Sequence, residues 1–243
     1  RGKDGRWTDI APELGLDLSD HCSAALFADF DNDGDQDVFV GRTMARSLLL
    51  MQEGGRFVDR SDRVAGPLPM LVSAVSAADV DRDGRLDLFV ATYAAKLGKD
   101  YDPTLAPSAE EAESQRVDWH PIYNDAGPAN VLLRNLGAGR FADQAAERGL
   151  RTYRQTFQGT FADVDADGDP DLYLANDYAP NNLFINRGDG TFEDATERTG
   201  TADVGFGMGA SFGDFDGDAD LDLYVSNMYS KAGERVIAAL PGL

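Results

Sequence analysis

A nine-residue pattern, Asp-x-Asp-x-Asp-(Gly/Ala)-x-x-Asp, occurs four times in this chain of 243 residues. The four copies are termed loop 1 (29–37), loop 2 (79–87), loop 3 (163–171) and loop 4 (214–222), with positions numbered 1 to 9. Successive copies start 50, 84 and 51 residues apart. A period near 50 residues is typical of a repeat architecture, in which each supersecondary unit packs against its neighbours.

A second pattern, Gly-x-aromatic-x-Asp, keeps step with the loops and starts at Gly5, Gly55, Gly139 and Gly190. Short apolar runs bounded by Gly, Asn or Asp lie between the two patterns, which indicates four short strands per unit. A small residue precedes position 1 in every unit, as a crowded central strand requires. The sequence therefore predicts an all-β fold, a β-propeller with four-stranded blades of about 50 residues.

We interpret residues 1–243 as a single propeller segment that contains four blades. The wide spacing between loops 2 and 3 predicts an insertion loop at about residues 95–128, rich in charge, Pro and Ala. Two arrangements stay open: a closed ring of four blades, in which the strand after Gly5 completes the last blade, or part of a larger ring. A β-sandwich or an open stack of hairpins does not need the regular period.

Each loop places carboxylates at positions 1, 3, 5 and 9. Calcium takes roughly six to eight oxygen ligands, so a short turn with alternate Asp residues suits it. Position 7 offers a backbone carbonyl whatever its side chain is, and we expect Arg85 to point its side chain away from the metal. The sequence predicts about four Ca²⁺, one per loop. The predicted ligands are Asp29, Asp31, Asp33, Asp35, Asp37, Asp79, Asp81, Asp83, Arg85, Asp87, Asp163, Asp165, Asp167, Asp169, Asp171, Asp214, Asp216, Asp218, Asp220 and Asp222.

Competing metal-site interpretations fit less well. An EF-hand needs a Glu at position 12 and flanking helices, whereas position 12 here is apolar in all four units. Magnesium prefers to keep several waters, and zinc prefers His or Cys ligands. Without a cation, like charges at alternate positions would repel one another. Loop 4 is the weakest site, because Ala219 replaces the turn glycine.

Charge limits the classes of partner. The 43 acidic and 22 basic residues give a net charge of −21, which repels nucleic acid and anionic membranes. No apolar run approaches the ~20 residues of a membrane span. The sequence contains no nucleophile elbow, phosphate loop or histidine metal cluster. We therefore expect a non-enzymatic protein with no nucleic-acid partner and no membrane insertion.

An alternative function lies in the predicted insertion, which brings together Trp119, His120 and Tyr123 with Asp118 and Asp125. Aromatic and acidic side chains on a loop are suited to holding a sugar, and a carboxylate beside His120 can act as acid and base. The alternative to a scaffold is thus a glycan-binding site, or a hydrolytic or lyase site, on residues 95–128.

The four loops resemble those of the FG-GAP/VCBS repeat propellers, the class that includes the integrin α-subunit head. Residues 181–192, 205–209 and 223–229 are similar to the ASPIC/UnbV group, which is related to the secreted cartilage acidic proteins. The resemblance implies structural calcium, a larger ring, and a secreted, periplasmic or cell-surface location. Our leading hypothesis is a scaffold for adhesion or for contacts with a protein or glycan partner, with the oligomeric state left open.

Overall fold

The computed structural model describes residues 5–19, 21–93, 127–203 and 205–228. Within these residues most of the regular structure is β-strand. The helical turns are α1 (Ala11–Leu14), α2 (Thr196–Thr199) and a 3₁₀ turn at Ser61–Arg63. In this part of the chain, none of the helices has the length and apolar character needed to span a bilayer.

The strands form three complete antiparallel units and the first two strands of a fourth. The first sheet is β1 (Cys22–Ala28), β2 (Asp37–Arg42), β3 (Leu48–Glu53) and β4 (Arg56–Asp59). The second sheet contains β5 (Val64–Ala65), β6 (Val72–Ala78), β7 (Asp87–Thr92), β8 (Val131–Asn135) and β9 (Phe141–Asp143). The strands β6 to β9 are antiparallel, and the short strand β5 pairs in parallel with β9 at the edge of the sheet. The third sheet is β10 (Gln155–Ala162), β11 (Asp171–Asp177), β12 (Asn182–Asn186) and β13 (Phe192–Asp194). The fourth is β14 (Gly207–Gly213) and β15 (Asp222–Asn227). The prediction of an all-β chain built from four-stranded units is confirmed.

Each Asp loop connects the first two strands of its sheet with the same register. Ala28 pairs with Asp37, and the corresponding pair closes the loop in the other three sheets. Position 9 is therefore the first residue of the second strand. Position 12 lies within that strand rather than in a helix, as Val40 does in β2. This geometry agrees with the argument against an EF-hand.

The Gly-x-aromatic-x-Asp pattern forms the fourth strand in three units, as β4, β9 and β13. Residues 6–10 are not in a strand, and Trp7 is 83% exposed. In the other three units the fourth strand pairs with the strand directly before it in the chain. For residues 6–10 that partner would precede Gly5, and residues 1–4 lie outside the described residues. Both arrangements, a closed ring of four blades that this segment completes and part of a larger ring, stay predictions.

The sheets stack face to face, and apolar clusters fill the spaces between them. Phe39 of the first sheet shares a cluster with Leu88 of the second, and Phe89 of the second shares one with Leu172 of the third. The first strands β1, β6, β10 and β14 pack successively against one another. Small residues permit this approach, since a Cβ atom on Gly159 would lie 2.7 Å from Cε1 of Phe89. The small first strands therefore lie where the sequence predicts the crowded centre.

Candidate metal centres

One set of backbone hydrogen bonds shapes all four Asp loops. In loop 1, Oδ1 of Asp29 accepts from the N–H of Asp33 at 3.1 Å, and Oδ2 accepts from that of Gly34 at 2.9 Å. The corresponding bonds to position 1 form in loops 2, 3 and 4. The carboxylate of the first Asp therefore accepts two backbone hydrogen bonds that fold the loop around it.

Position 9 anchors each of the first three loops to its sheet. Asp171 accepts from the backbone N–H of Val164 at 2.9 Å and from that of Asn186, in the third strand, at 2.8 Å. Asp37 and Asp87 make the same two kinds of bond. Burial raises the pKa of Asp171 to about 6 and raises the pKa values of Asp37 and Asp87 as well. A nearby positive charge would favour the ionised form of these buried carboxyls.

The turn at position 6 requires a left-handed backbone. The φ angle is +97° at Gly34 and +75° at Ala219, the residue that replaces glycine in loop 4. A residue with a Cβ atom adopts this conformation at a cost of about 1 kcal/mol or more. Loop 4 thus has the turn of the other loops together with the strain that its sequence predicts.

Carboxylate oxygens converge inside the loops. Positions 1, 3 and 5 of loops 1, 3 and 4 each offer an oxygen, and within each loop these three atoms lie within 4.8 Å of one another. In loop 1, Oδ1 of Asp31 and Oδ1 of Asp35 are buried with no hydrogen-bond donor. Burial and repulsion from Asp33 and Asp29 raise the pKa of Asp31. An all-oxygen set with buried unpaired acceptors fits a hard cation such as Ca²⁺.

Loop 2 differs from the other loops because arginines reach its carboxylates. Its converging group consists of Asp79, Asp81 and Asp87, so position 5 is not part of it. Position 5 is Asp83, which accepts instead from Arg85 and from Arg134. Burial opposes ionisation of Asp83, but these two guanidinium groups outweigh it and lower the pKa. The side chain of Arg85 therefore lies against a carboxylate of its own loop, and its orientation relative to a bound ion stays a prediction.

Two asparagines that sequence reasoning missed tie neighbouring loops together. The side-chain amide of Asn186 donates to the carbonyl of Val80 in loop 2 at 2.8 Å and to that of Pro170 in loop 3 at 3.2 Å. Asn135 makes the same bridge between Phe30 in loop 1 and Leu86 in loop 2. A sequence signal exists, since both asparagines stand four residues before the glycine of the Gly-x-Phe-x-Asp pattern.

Position 4 makes a second kind of link between loops. The amide of Asn32 donates to the carbonyl of Gly84 at 2.9 Å. Arg82, at the same position of loop 2, donates to the carbonyl of Asp167 at 3.3 Å and pairs with Asp169 of loop 3. Loops 1, 2 and 3 therefore lie side by side along one edge of the stacked sheets.

The alternative ligand site predicted on Trp119, His120 and Tyr123 lies outside the described residues, as do Asp118 and Asp125. The same holds for most of the insertion at 95–128. That site stays a prediction.

Comparison with known proteins gives matches to the repeats. A family model described as FG-GAP-like repeat matches residues 29–90 and 163–225, just over half of the chain. Cartilage acidic protein 1 of Homo sapiens is 33% identical over 115 residues, which cover 43% of this chain and 17% of that protein. The Xenopus tropicalis protein of the same name is 36% identical over 84 residues, or 34% of this chain and 13% of its own length. The matched segments are thus a small part of these relatives.

Among solved structures, a chain in the crystal structure of BBS1N in complex with ARL6DN, soaked with mercury, aligns with a TM-score of 0.45. Its identity is 12%, and the alignment covers 86% of this chain and 52% of that chain.

Proposed function

This chain belongs to the FG-GAP-like repeat family, and from this premise we propose that it is an extracellular scaffold whose Asp loops bind structural Ca²⁺. In this proposal the ions stiffen the loop edge, which is the edge of the stacked sheets where the Asp loops lie. The blade faces make adhesive contacts with a protein or a glycan. The chain carries out no catalysis.

The observation that carries the proposal is the geometry of loop 1. Asp29, Asp31 and Asp33 bring carboxylate oxygens within 4.8 Å of one another. One oxygen of Asp31 is buried and receives no hydrogen bond. A buried, unpaired acceptor costs about 1–3 kcal/mol, and more when it is charged. A cation bound to these oxygens would offset the repulsion between the carboxylates and would give the unpaired oxygen of Asp31 a partner.

Loops 3 and 4 support the same interpretation, since the three corresponding carboxylates converge there as well. In loop 3, Asp163, Asp165 and Asp167 would hold the ion with oxygen atoms, with further ligands from backbone carbonyls or water. Calcium accepts such an irregular oxygen cage, whereas magnesium requires a near-ideal octahedron. The donor set therefore favours calcium over magnesium.

An extracellular location is supported by the names of the relatives. The relatives are named for cartilage. Extracellular calcium modules bind with Kd values of about 10⁻⁴–10⁻³ M. If free Ca²⁺ is about ten times Kd, each occupied loop adds about 1.4 kcal/mol to the free energy of unfolding.

The test is calorimetric melting of the chain in excess chelator and in about 10 mM CaCl₂. Loops 1, 3 and 4, in which positions 1, 3 and 5 converge, would together add about 4 kcal/mol to the free energy of unfolding. For a domain of this size this raises Tm by about 10 °C. Magnesium at the same concentration should produce a much smaller shift. Equal melting temperatures in chelator and in calcium would refute the proposal.

A pair of variants locates the effect in the loops. Asp165→Asn removes a carboxylate from the converging group of loop 3, and it should reduce the calcium-induced rise in Tm by about a third. Asp62→Asn changes an exposed residue outside the loops and should leave the rise unchanged. A similar loss in both variants would indicate a general effect of charge rather than a site.

The scaffold role is tested by binding of the immobilised chain to a glycan array and to a panel of matrix proteins. We expect binding that is present in calcium and lost in chelator, because the ions order the loop edge. Absence of binding to either panel under both conditions would count against the scaffold role, and turnover of a bound glycan would favour the enzymatic alternative.

A further inference from the structure

Arg134 inserts a guanidinium group among the carboxylates of loop 2. It lies in β8 and is only 5% exposed. Its Nη2 pairs with Asp81 and contacts Oδ2 of Asp83 at 2.5 Å, and its Nη1 donates to Oδ1 of Asp87 at 2.7 Å. One buried cation thus contacts positions 3, 5 and 9 of the same loop.

The first and third sheets have no arginine at this place. Leu133 pairs with the residue after Asp87, and the equivalent residues are Leu50 in the first sheet and Phe184 in the third. The residue that follows is Arg134 in the second sheet, Met51 in the first and Ile185 in the third. These two apolar side chains carry no charge to offer to loops 1 and 3.

The charge around loop 2 is balanced by protein groups to a degree that the other loops lack. Besides Arg134, the guanidinium of Arg85 contacts Asp83, and that of Arg148 lies 3.6 Å from Asp81. Among the described residues, one arginine pairs with loop 1 and one with loop 3: Arg63 lies 3.8 Å from Asp31, and Arg82 pairs with Asp169. Within the part of the chain that the structure describes, no ion pair reaches a carboxylate of loop 4.

An arginine in this place competes directly with a metal ion. Its guanidinium stays protonated at every physiological pH, and it occupies oxygens on three of the carboxylates that a cation would need. Binding of a metal ion would require Arg134 to leave its partners inside a buried environment. Such a displaced guanidinium would be left buried without its partners, so we expect loop 2 to bind a metal ion at least about 100-fold more weakly than the other loops.

We propose that Arg134 serves as the built-in cation of loop 2, so that the chain binds Ca²⁺ in loops 1, 3 and 4 while loop 2 stays free of metal. This inference rests on the proposed function, since it presupposes that the other loops bind calcium. It replaces the count of about four ions with three, and it gives loop 2 a shape that does not depend on the calcium concentration.

The test counts bound calcium by native mass spectrometry in the wild-type chain and in single-loop variants. Asp81→Asn in loop 2 should leave the count of three unchanged. The matched variants Asp31→Asn, Asp165→Asn and Asp216→Asn, each at position 3, should each lower it by one. Loss of one ion in Asp81→Asn would overturn this inference alone, whereas a wild-type chain that binds no calcium would overturn the proposed function too.

The complementary variant removes the arginine. Arg134→Met copies the residue of the first sheet and should bind four ions, and adding Asp81→Asn to it should return the count to three. Arg60→Met removes an arginine paired with Glu53 at the surface and should keep three ions. If Arg134→Met folds in calcium and binds only three ions, Arg134 is not what keeps the metal out of loop 2, and the inference is overturned. If this variant fails to fold, the Asp81→Asn count in the wild-type background decides.

Discussion

The amide of Asn186 provides the sharpest test of how neighbouring units are held together. Its side chain donates to Val80 and Pro170 and accepts from the N–H groups of Gly188 at 3.1 Å and Gly190 at 3.2 Å. Asn186 is 2% exposed and Val80 is fully buried. Asn186→Ala therefore removes four hydrogen bonds and leaves buried groups unpaired.

The magnitude follows from how easily each partner can reach water. Gly188 is exposed, so its N–H regains a water partner at little cost, whereas Val80 and Gly190 are buried. A buried unpaired group costs about 1–3 kcal/mol, and an ordinary hydrogen bond contributes about 1 kcal/mol. We expect Asn186→Ala to lower the free energy of unfolding by about 3 kcal/mol.

Urea denaturation followed by fluorescence, in excess chelator, measures this loss without a contribution from calcium. Asn135→Ala, which breaks the equivalent bridge, should cost a similar amount. The control is Asn227→Ala, which removes an exposed bond to Asp203 and should change the stability by less than about 0.5 kcal/mol. An Asn186→Ala protein within about 1 kcal/mol of the wild type, with an unchanged m-value, would refute the reasoning.

Three further predictions concern single positions. Ala219→Gly relieves the backbone at φ +75° and should raise the free energy of unfolding by about 1 kcal/mol in urea titrations; no change would mean that the turn is unstrained. Gly159→Ala, whose Cβ would press on Phe89, should cost about 1–3 kcal/mol, and adding Phe89→Leu should recover part of the loss if packing is the cause. Burial raises the pKa of Asp171 from 3.8 to about 6, so the folded state without metal binds the proton more tightly than the unfolded state does. The free energy of unfolding of the metal-free chain should therefore fall as pH rises from about 4 to about 6. In saturating calcium, which binds the ionised carboxylate, Tm should rise over the same range, and an identical pH profile in both conditions would contradict this assignment.

The local features of the fold were accessible from the sequence because short-range chemistry determines them. Alternating Asp residues and a turn glycine specify each loop through bonds within nine residues, such as that from the N–H of Gly34 to Asp29. Four loops with one register then require four repeated hairpins, which the structure contains.

Contacts between residues far apart in the chain were not accessible in the same way. Arg134 reaches Asp81 across 53 residues, and Asn135 reaches Phe30 across 105. Such contacts depend on the register and the stacking of whole sheets, which no local pattern encodes. The parallel pairing of Val64 with Phe141 was missed for the same reason. The strand β5 follows the first sheet in the chain but pairs with the second sheet.

Loops 1, 2 and 3 occupy one edge of the sheet stack, where Asn32 contacts Gly84 and Arg82 contacts Asp167. If these loops bind Ca²⁺ as proposed, each ion that enters or leaves this edge would change its charge by two units. The electric dipole of the molecule would then depend on the calcium concentration. A charged partner that approaches in low calcium would meet a differently oriented field from one that approaches in high calcium, before any surface contact forms.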